Sequence, residues 1–266
     1  MRKYKIVLCD YDGTLAGSNN QISKQNLDAI NSFVLGGGIF VVCTGRATDA
    51  ISKPLLAQNF KGLIASFNGA VLTNPNTNEV LYSHKIPVSD CLKFFEYTEK
   101  HGLYAHFYPQ NQFLYPYRNK YTNHYEKVTG VNGIYCEDIV KYIQTNNEGS
   151  CKLLVFDDKE KLDMHFEGLK SLMDNCEVVR STDNMIDLNL KGIDKGDACY
   201  KVASLYNMTI DDVLAMGDAG NDYAMIKEAG FSVAVSNASN EIKEIADFIA
   251  PSNDENAVKY VLEKFC

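Results

Sequence analysis

The eight cysteines of this 266-residue chain include no Cys-x-x-Cys pair. That absence, with their wide scatter, argues against a disulfide framework. Cys9 and Cys43 sit inside apolar strand-like runs and read as reduced, buried small side chains. Long hydrophobic runs are also missing: none approaches the ~20 apolar residues that span a bilayer. The apolar run in the opening "MRKYKIVLCD" is far too short for a signal-peptide core, so the expected compartment is the cytosol. Positive charge is scarce, with 26 Lys and Arg against 34 Asp and Glu and a formal net charge of −8. That argues against nucleic acid or an anionic membrane as partner, although a local cluster can still attract a small anion. The five histidines, His84, His101, His106, His124 and His165, have no metal-ligand spacing and read as surface or core residues. No internal repeat and no low-complexity linker occurs.

What is present is ample for a core, at 45% hydrophobic residues, in a chain long enough for one large domain or two. The first part alternates strand and helix. "KIVLC" and "IFVVC" are continuous apolar runs, "GLIASFNGA" repeats the pattern less clearly, and "SKQNLDAINSFVLGGG" has helical spacing that stops at glycines. The last part alternates again through "KGDACYKVASLYNM", "DVLAMGD", "NDYAMIKEAG", "FSVAV", "ASNEIKEIADF", "FIA" and "ENAVKYVLEKF". Continuous strands alternating with helices imply a parallel sheet covered on both faces. "AVLTNPNTNEVLYSHKI" predicts a hairpin. Beyond it come a helix ("VSDCLKFFEYTEKHG"), a tyrosine-rich hairpin ("LYAHFYPQNQFLYPY"), a strand ("CKLLVFDD"), a helix ("KEKLDMHFEGLKSLM") and a second hairpin ("CEVVRS", "MIDLNL"). The expected architecture is an α/β core with a Rossmann-like parallel sheet, residues 1–83 and 188–266, carrying an inserted α+β domain, residues 84–187.

Ligands of an open parallel sheet bind beyond the carboxyl ends of its strands. Four expected strand ends carry polar groups there: Asp10 and Asp12; Thr44, Gly45 and Arg46; Asn68 and Gly69; Asp218, Asn221 and Asp222. Lys195 opens a helix. Carboxylates two residues apart repel one another unless a cation intervenes. Asp10, Asp12 and Asp218 suit a hard cation, with Mg²⁺ the expected one. Thr44, Lys195 and Asn221 offer donors to a phosphate, and Gly13, Gly45 and Gly217 allow close backbone approach. Such a set is equipped for phosphoryl transfer.

"DYDGTL", "TGR", "DKG" and "GDAGND", in this order, resemble the four motifs of the haloacid dehalogenase (HAD) superfamily of phosphatases. The middle and the "NDYAMIKEAGFSVAVSNASNEIKEIADFIAPSNDENAV" tail resemble the Cof-type branch with a C2-type (type IIB) cap. The resemblance implies that Asp10 is a nucleophile forming an aspartyl-phosphate, and that Asp12 is the acid–base residue. It implies that Mg²⁺ is held by Asp10, Asp218 and the Asp12 backbone carbonyl, with Asp222 in support. Thr44, Gly45, Arg46, Lys195 and Asn221 would hold the phosphoryl group and substrate, a small phosphorylated metabolite such as a sugar phosphate. A cap sheet would roof the crevice. The tail departs from the pattern at "VSNAS" and "ENAV", which bears on local loop geometry. A phosphomutase on the same scaffold is the alternative, and a non-catalytic metabolite sensor a third reading that the intact motifs disfavour.

Some residues stay open. Arg46 either contacts substrate or pairs with a nearby acid. Asn68 shapes the crevice or touches substrate, and Asp218–Asp222 also suits a helix cap. The aromatics Tyr104, His106, Phe107, Tyr108, Phe113, Tyr115 and Tyr117 read as a packed sheet face, with one or two able to reach a leaving group. "RNKYTNHYEK" reads as a solvated turn or helix. The sequence leaves the oligomeric state open.

Overall fold

The computed structural model describes residues 3–266. The chain begins with β1 (Ile6–Asp10), α1 (Lys24–Leu35), β2 (Ile39–Cys43), α2 (Thr48–Ala57), β3 (Leu63–Ser66), β4 (Val71–Asn74) and β5 (Glu79–Ser83). It continues with α3 (Val88–Lys100), β6 (Tyr104–Phe107), β7 (Leu114–Tyr115), α4 (Lys120–Thr129), β8 (Ile134–Tyr135) and α5 (Ile139–Asn146). Next come β9 (Leu153–Phe156), α6 (Lys159–Leu172), β10 (Cys176–Thr182) and β11 (Met185–Leu190). It ends with α7 (Lys195–Leu205), β12 (Val213–Gly217), α8 (Tyr223–Glu228), β13 (Phe231–Val235), α9 (Asn240–Ile245), β14 (Phe248–Ala250) and α10 (Ala257–Phe265). Two compact units result, one up to Tyr82 and from Ile193 onward, the other Ser83–Gly192.

The first unit is built on one sheet, ordered β14-β13-β12-β1-β2-β3-β4-β5. Its strands are parallel from β14 to β3, and β4 turns back antiparallel against β3. Continuous apolar sequence explains the central position of β1, β2 and β12: a strand with helices on both faces has no solvent side. Ile6, Val7, Leu8 and Cys9 are fully buried, as are Val213–Met216. Chain order runs outward from β1 through β2 to β3, and outward the other way from β12 through β13 to β14. The order therefore reverses between β1 and β12, the switch point at which a doubly wound sheet opens a crevice.

The second unit has its own sheet, ordered β10-β11-β9-β6-β7-β8, and its own core. Side chains alternate across a strand. Ala105 and Phe107 of β6 enter that core beside Phe94, Phe95 and Ile143, residues of α3 and α5. Tyr104 and His106 point the other way, where α4 lies: Tyr104 stacks on Tyr121, and His106 bonds Thr122. Helices thus touch both faces, where the pattern predicts one, and "RNKYTNHYEK" is helical from Lys120 because Asn119 caps its first turn. The aromatic run is packing: Tyr104, His106, Phe107, Tyr108, Phe113 and Tyr115 are buried, whereas Tyr117 is 56% exposed. The sheet also extends past residue 187, since β11 pairs with β10 as far as Leu190. Two helices, α2 and α5, form where the pattern assigns no element. The first contains Pro54, which masks it, and the second is a short helix set by an Asp138 cap and Asn147 in left-handed conformation.

Candidate active site

Register brings four loops to one edge. Cys9 pairs with Met216, Asp10 with Cys43, and Cys43 with Ala65. The residues that follow these strands therefore leave the sheet side by side: Asp10–Asp12, Thr44–Arg46, Phe67–Asn68 and Asp218–Asp222. Lys195, the first residue of α7, joins them from outside the sheet. The helix is started there by Asp194, whose side chain accepts the backbone N–H of Gly196 and Asp197 at 2.8 and 2.9 Å. Gly69, at φ +98°, permits this approach, because a Cβ there would lie 2.7 Å from the Asp194 carbonyl oxygen.

Lys195 is fully buried and donates to Oδ1 of Asp10 at 2.5 Å and Oδ1 of Asp222 at 2.6 Å. Burial works against its charge and is outweighed by the two carboxylates, which hold its pKa above the usual lysine value. Asp222 spends its second oxygen on the backbone N–H groups of Asp218 and Ala219. It is a turn cap as well as an ion-pair partner, so the capping reading holds. Asp218 accepts the Thr14 hydroxyl at 2.8 Å. Burial pushes the carboxyls of both Asp10 and Asp218 upward, with Lys195 pulling each back.

Asp10, Asp218 and Asp222 each offer an oxygen, and these lie within 4.8 Å of one another. Three carboxylates face one ammonium. The cluster thus carries an excess of two negative charges, the charge of one divalent cation, and its oxygens are the hard donors that Mg²⁺ takes. The residues fit such an ion. Gly13 keeps the space beside it open: at φ +83°, a Cβ there would sit 2.6 Å from Oδ2 of Asp218. The Asp12 side chain is not part of this cluster. Both its oxygens are taken by Arg46.

Arg46 pairs with a nearby acid, its Nε and Nη2 donating to the Asp12 oxygens at 2.9 and 2.5 Å. Thr44 is buried, and its hydroxyl accepts the Arg46 N–H at 3.1 Å. Gly45 has Asn68 against it, with the amide oxygen 2.9 Å from where a Cβ would stand. Asn221 is exposed on the turn Gly220–Asp222.

Three residues that the sequence reading passed over shape this edge. Thr14 orients Asp218 from 204 residues away, and its only signal was its place inside "DYDGTL". Phe67 adopts φ +52°, a conformation that bulky side chains avoid. It is held there as its N–H bonds the Arg46 carbonyl at 3.0 Å, while Asn68 N–H bonds the Thr44 carbonyl at 2.9 Å. Asn237, within the divergent "VSNAS", donates to the Gly13 carbonyl at 2.8 Å. That bond ties the loop after β13 to the turn after β1.

The haloacid dehalogenase-like hydrolase family model matches residues 7–262. The 5-amino-6-(5-phospho-D-ribitylamino)uracil phosphatase YcsE of Bacillus subtilis is 30% identical over 256 residues, covering 96% of this chain and 92% of that protein. A haloacid dehalogenase-like hydrolase from Bacteroides thetaiotaomicron superposes with a TM-score of 0.85 at 28% identity, over 99% of this chain and all of the other. TM0651 from Thermotoga maritima gives a TM-score of 0.89 at 25% identity, over 99% and 98% of the two chains. The match runs nearly end to end and includes every strand end that carries the carboxylates and the threonine, and the helix start that carries the lysine; the chain belongs to the haloacid dehalogenase-like hydrolases, as a Cof-type phosphatase.

Proposed function

We propose that this phosphatase hydrolyses small phosphomonoesters, sugar or polyol phosphates foremost, through an aspartyl-phosphate on Asp10 with Mg²⁺ at the carboxylate cluster. One observation carries the reading: Asp10 and Asp218 converge at the switch point with an excess of negative charge that Lys195 offsets only in part. Asp10, Asp218 and the Asp12 backbone carbonyl would hold the ion, and Asp222 would position Asp218 and Lys195. When bound, the ion offsets charge and polarises a phosphoryl oxygen.

The Asp10 carboxylate attacks phosphorus in line with the leaving alcohol, and the P–O bond to that alcohol breaks. Asp12 supplies the proton that the departing oxygen takes up. It then takes a proton from the water that attacks the acyl phosphate, releasing inorganic phosphate and restoring Asp10. Thr44, the Gly45 amide, Lys195 and Asn221 hold the transferring group. YcsE, by its name, acts on a phosphoribitylamino uracil, which supports a polyol phosphate as the substrate type. Eight free cysteines suit a reducing, cytosolic setting.

The test is phosphate release across a broad panel of phosphorylated metabolites, with Mg²⁺ and with chelator, for wild type and Asp10→Asn. Release from one chemical class that needs Mg²⁺ and is lost in the variant is the expected result. Release undiminished by Asp10→Asn defeats the nucleophile assignment. Transfer to a second alcohol without free phosphate moves the reading to a phosphomutase.

A further inference from the structure

Both oxygens of Asp12 are taken by the fork of Arg46. Held this way, each Asp12 oxygen keeps only the lone-pair site outside the fork, whereas the acid–base task assigned to Asp12 needs an oxygen free to meet a leaving group and then a water. The pair must therefore open during turnover. Solvent can take its place, because the Arg46 and Asp12 side chains are 42% and 49% exposed, so opening exchanges the two hydrogen bonds for water.

The two partners are not equally free to move. Arg46 is fixed at its root: its backbone N–H bonds Thr44 Oγ1, its carbonyl accepts Phe67 N–H, and its guanidinium lies over the Tyr11 ring at 5.2 Å. The Asp12 backbone is held as well, by its bridge to Ala16, but its side chain has no ring against it as the Arg46 guanidinium has Tyr11. When Asp12 swings, the fork stays and is left without its planar acceptor. A guanidinium in that state recruits another oxygen acceptor, best a carboxylate and next a hydroxyl.

We propose that Arg46 exchanges Asp12 for an oxygen acceptor on the leaving alcohol, so that one arginine both selects the leaving group and sets the acid–base carboxylate free. The acceptor belongs on the carbon next to the ester carbon, within reach of a fork that has just released the side chain serving the ester oxygen. This rests on the phosphatase mechanism proposed above. It names esters of hydroxy acids and polyols as the favoured class over simple alkyl esters.

The experiment compares phosphoglycolate, 2-hydroxyethyl phosphate and ethyl phosphate, which share a two-carbon skeleton, on wild type, Arg46→Lys and Arg46→Ala. Both kcat/KM and inhibition of p-nitrophenyl phosphate hydrolysis are read, the second reporting binding where turnover is slow. The preference for the two acceptor-bearing esters over ethyl phosphate is expected to fall roughly 10- to 100-fold in Arg46→Ala, the loss of one charge-assisted hydrogen bond, and to survive in part in Arg46→Lys. An unchanged preference overturns the exchange, whether all three esters weaken together or none does. A wild type that hydrolyses no phosphomonoester, indistinguishable from Asp10→Asn, overturns the phosphatase mechanism and the exchange together.

Discussion

Lys195 and Asp222 are joined at 2.6 Å, and neither side chain has any surface in contact with solvent. A buried pair of this kind adds little net stability, but losing one partner strands the other. Lys195→Met is expected to cost about 3–5 kcal/mol in urea unfolding. The loss should be smaller with saturating Mg²⁺ if, as proposed, the ion binds the folded cluster and not the unfolded chain. A variant as stable as wild type in chelator would mean that Asp10 and Asp222 do not depend on this ammonium.

Gly13 is the second point of leverage. Gly13→Ala combines φ +83° with a contact of 2.6 Å to Asp218 Oδ2. The expected cost is about 1–3 kcal/mol from backbone strain alone. The Mg²⁺ concentration for half-maximal activity should also rise, because Asp218 must shift. Metal titrations that superimpose on wild type would show that the turn yields without moving the carboxylate.

Asp12→Asn keeps a side chain that Arg46 can still contact but removes the proton carrier. Turnover is expected to fall by about 10²- to 10⁴-fold, with little change in thermal stability, since Asp12 is exposed. Near-normal turnover of an alkyl or sugar phosphate would take Asp12 out of the acid–base role.

In the inserted unit, burial lowers the pKa of His106 from 6.5 to about 3. An unfolded chain takes up a proton at this residue between those values, and the native state does not. Stability therefore rises with pH through that window, is complete above about 6.5, and falls by about 1.4 kcal/mol per unit as pH drops. His106→Phe, which suits the ring stack with Phe113, should remove that slope. Urea unfolding of both proteins at pH 7, 6 and 5 isolates the histidine as the difference, and parallel curves would refute it.

How much of this was legible beforehand follows from what sets each feature. β1, β2, β12 and β13 announced themselves because a strand covered on both faces needs unbroken apolar sequence. The ends of those strands placed Asp10, Thr44 and Asp218 at one edge once the sheet was taken as parallel. The Asp12–Arg46 grip was only one of two options, since the pairing depends on a rotamer and no pattern encodes it. Thr14 with Asp218, and Asn237 with Gly13, join residues more than 200 positions apart. Phe67 at positive φ was invisible, because propensity argues against it and only the bonds to Thr44 and Arg46 impose it. The hairpin strand "MIDLNL" was read to its end at Leu190, but the inserted unit was expected to stop at residue 187, inside that strand, whereas it runs to Gly192 because pairing with β10 keeps the whole of β11 in the second sheet.

The 185 residues that separate Asp10 from Lys195 set an order of assembly on the ribosome. β1 emerges first and finds β2 soon after, but its other neighbour, β12, is made only after the whole inserted unit. That unit has a core of its own and can condense in the interval. Until β12 arrives, one edge of β1 lies open, with Asp10 at its end and no ammonium beside it. The nascent chain thus carries the Asp10 carboxylate without its partners through most of its synthesis, and the cluster is completed late, when Lys195, Asp218 and Asp222 join it from a single stretch of the remaining sequence.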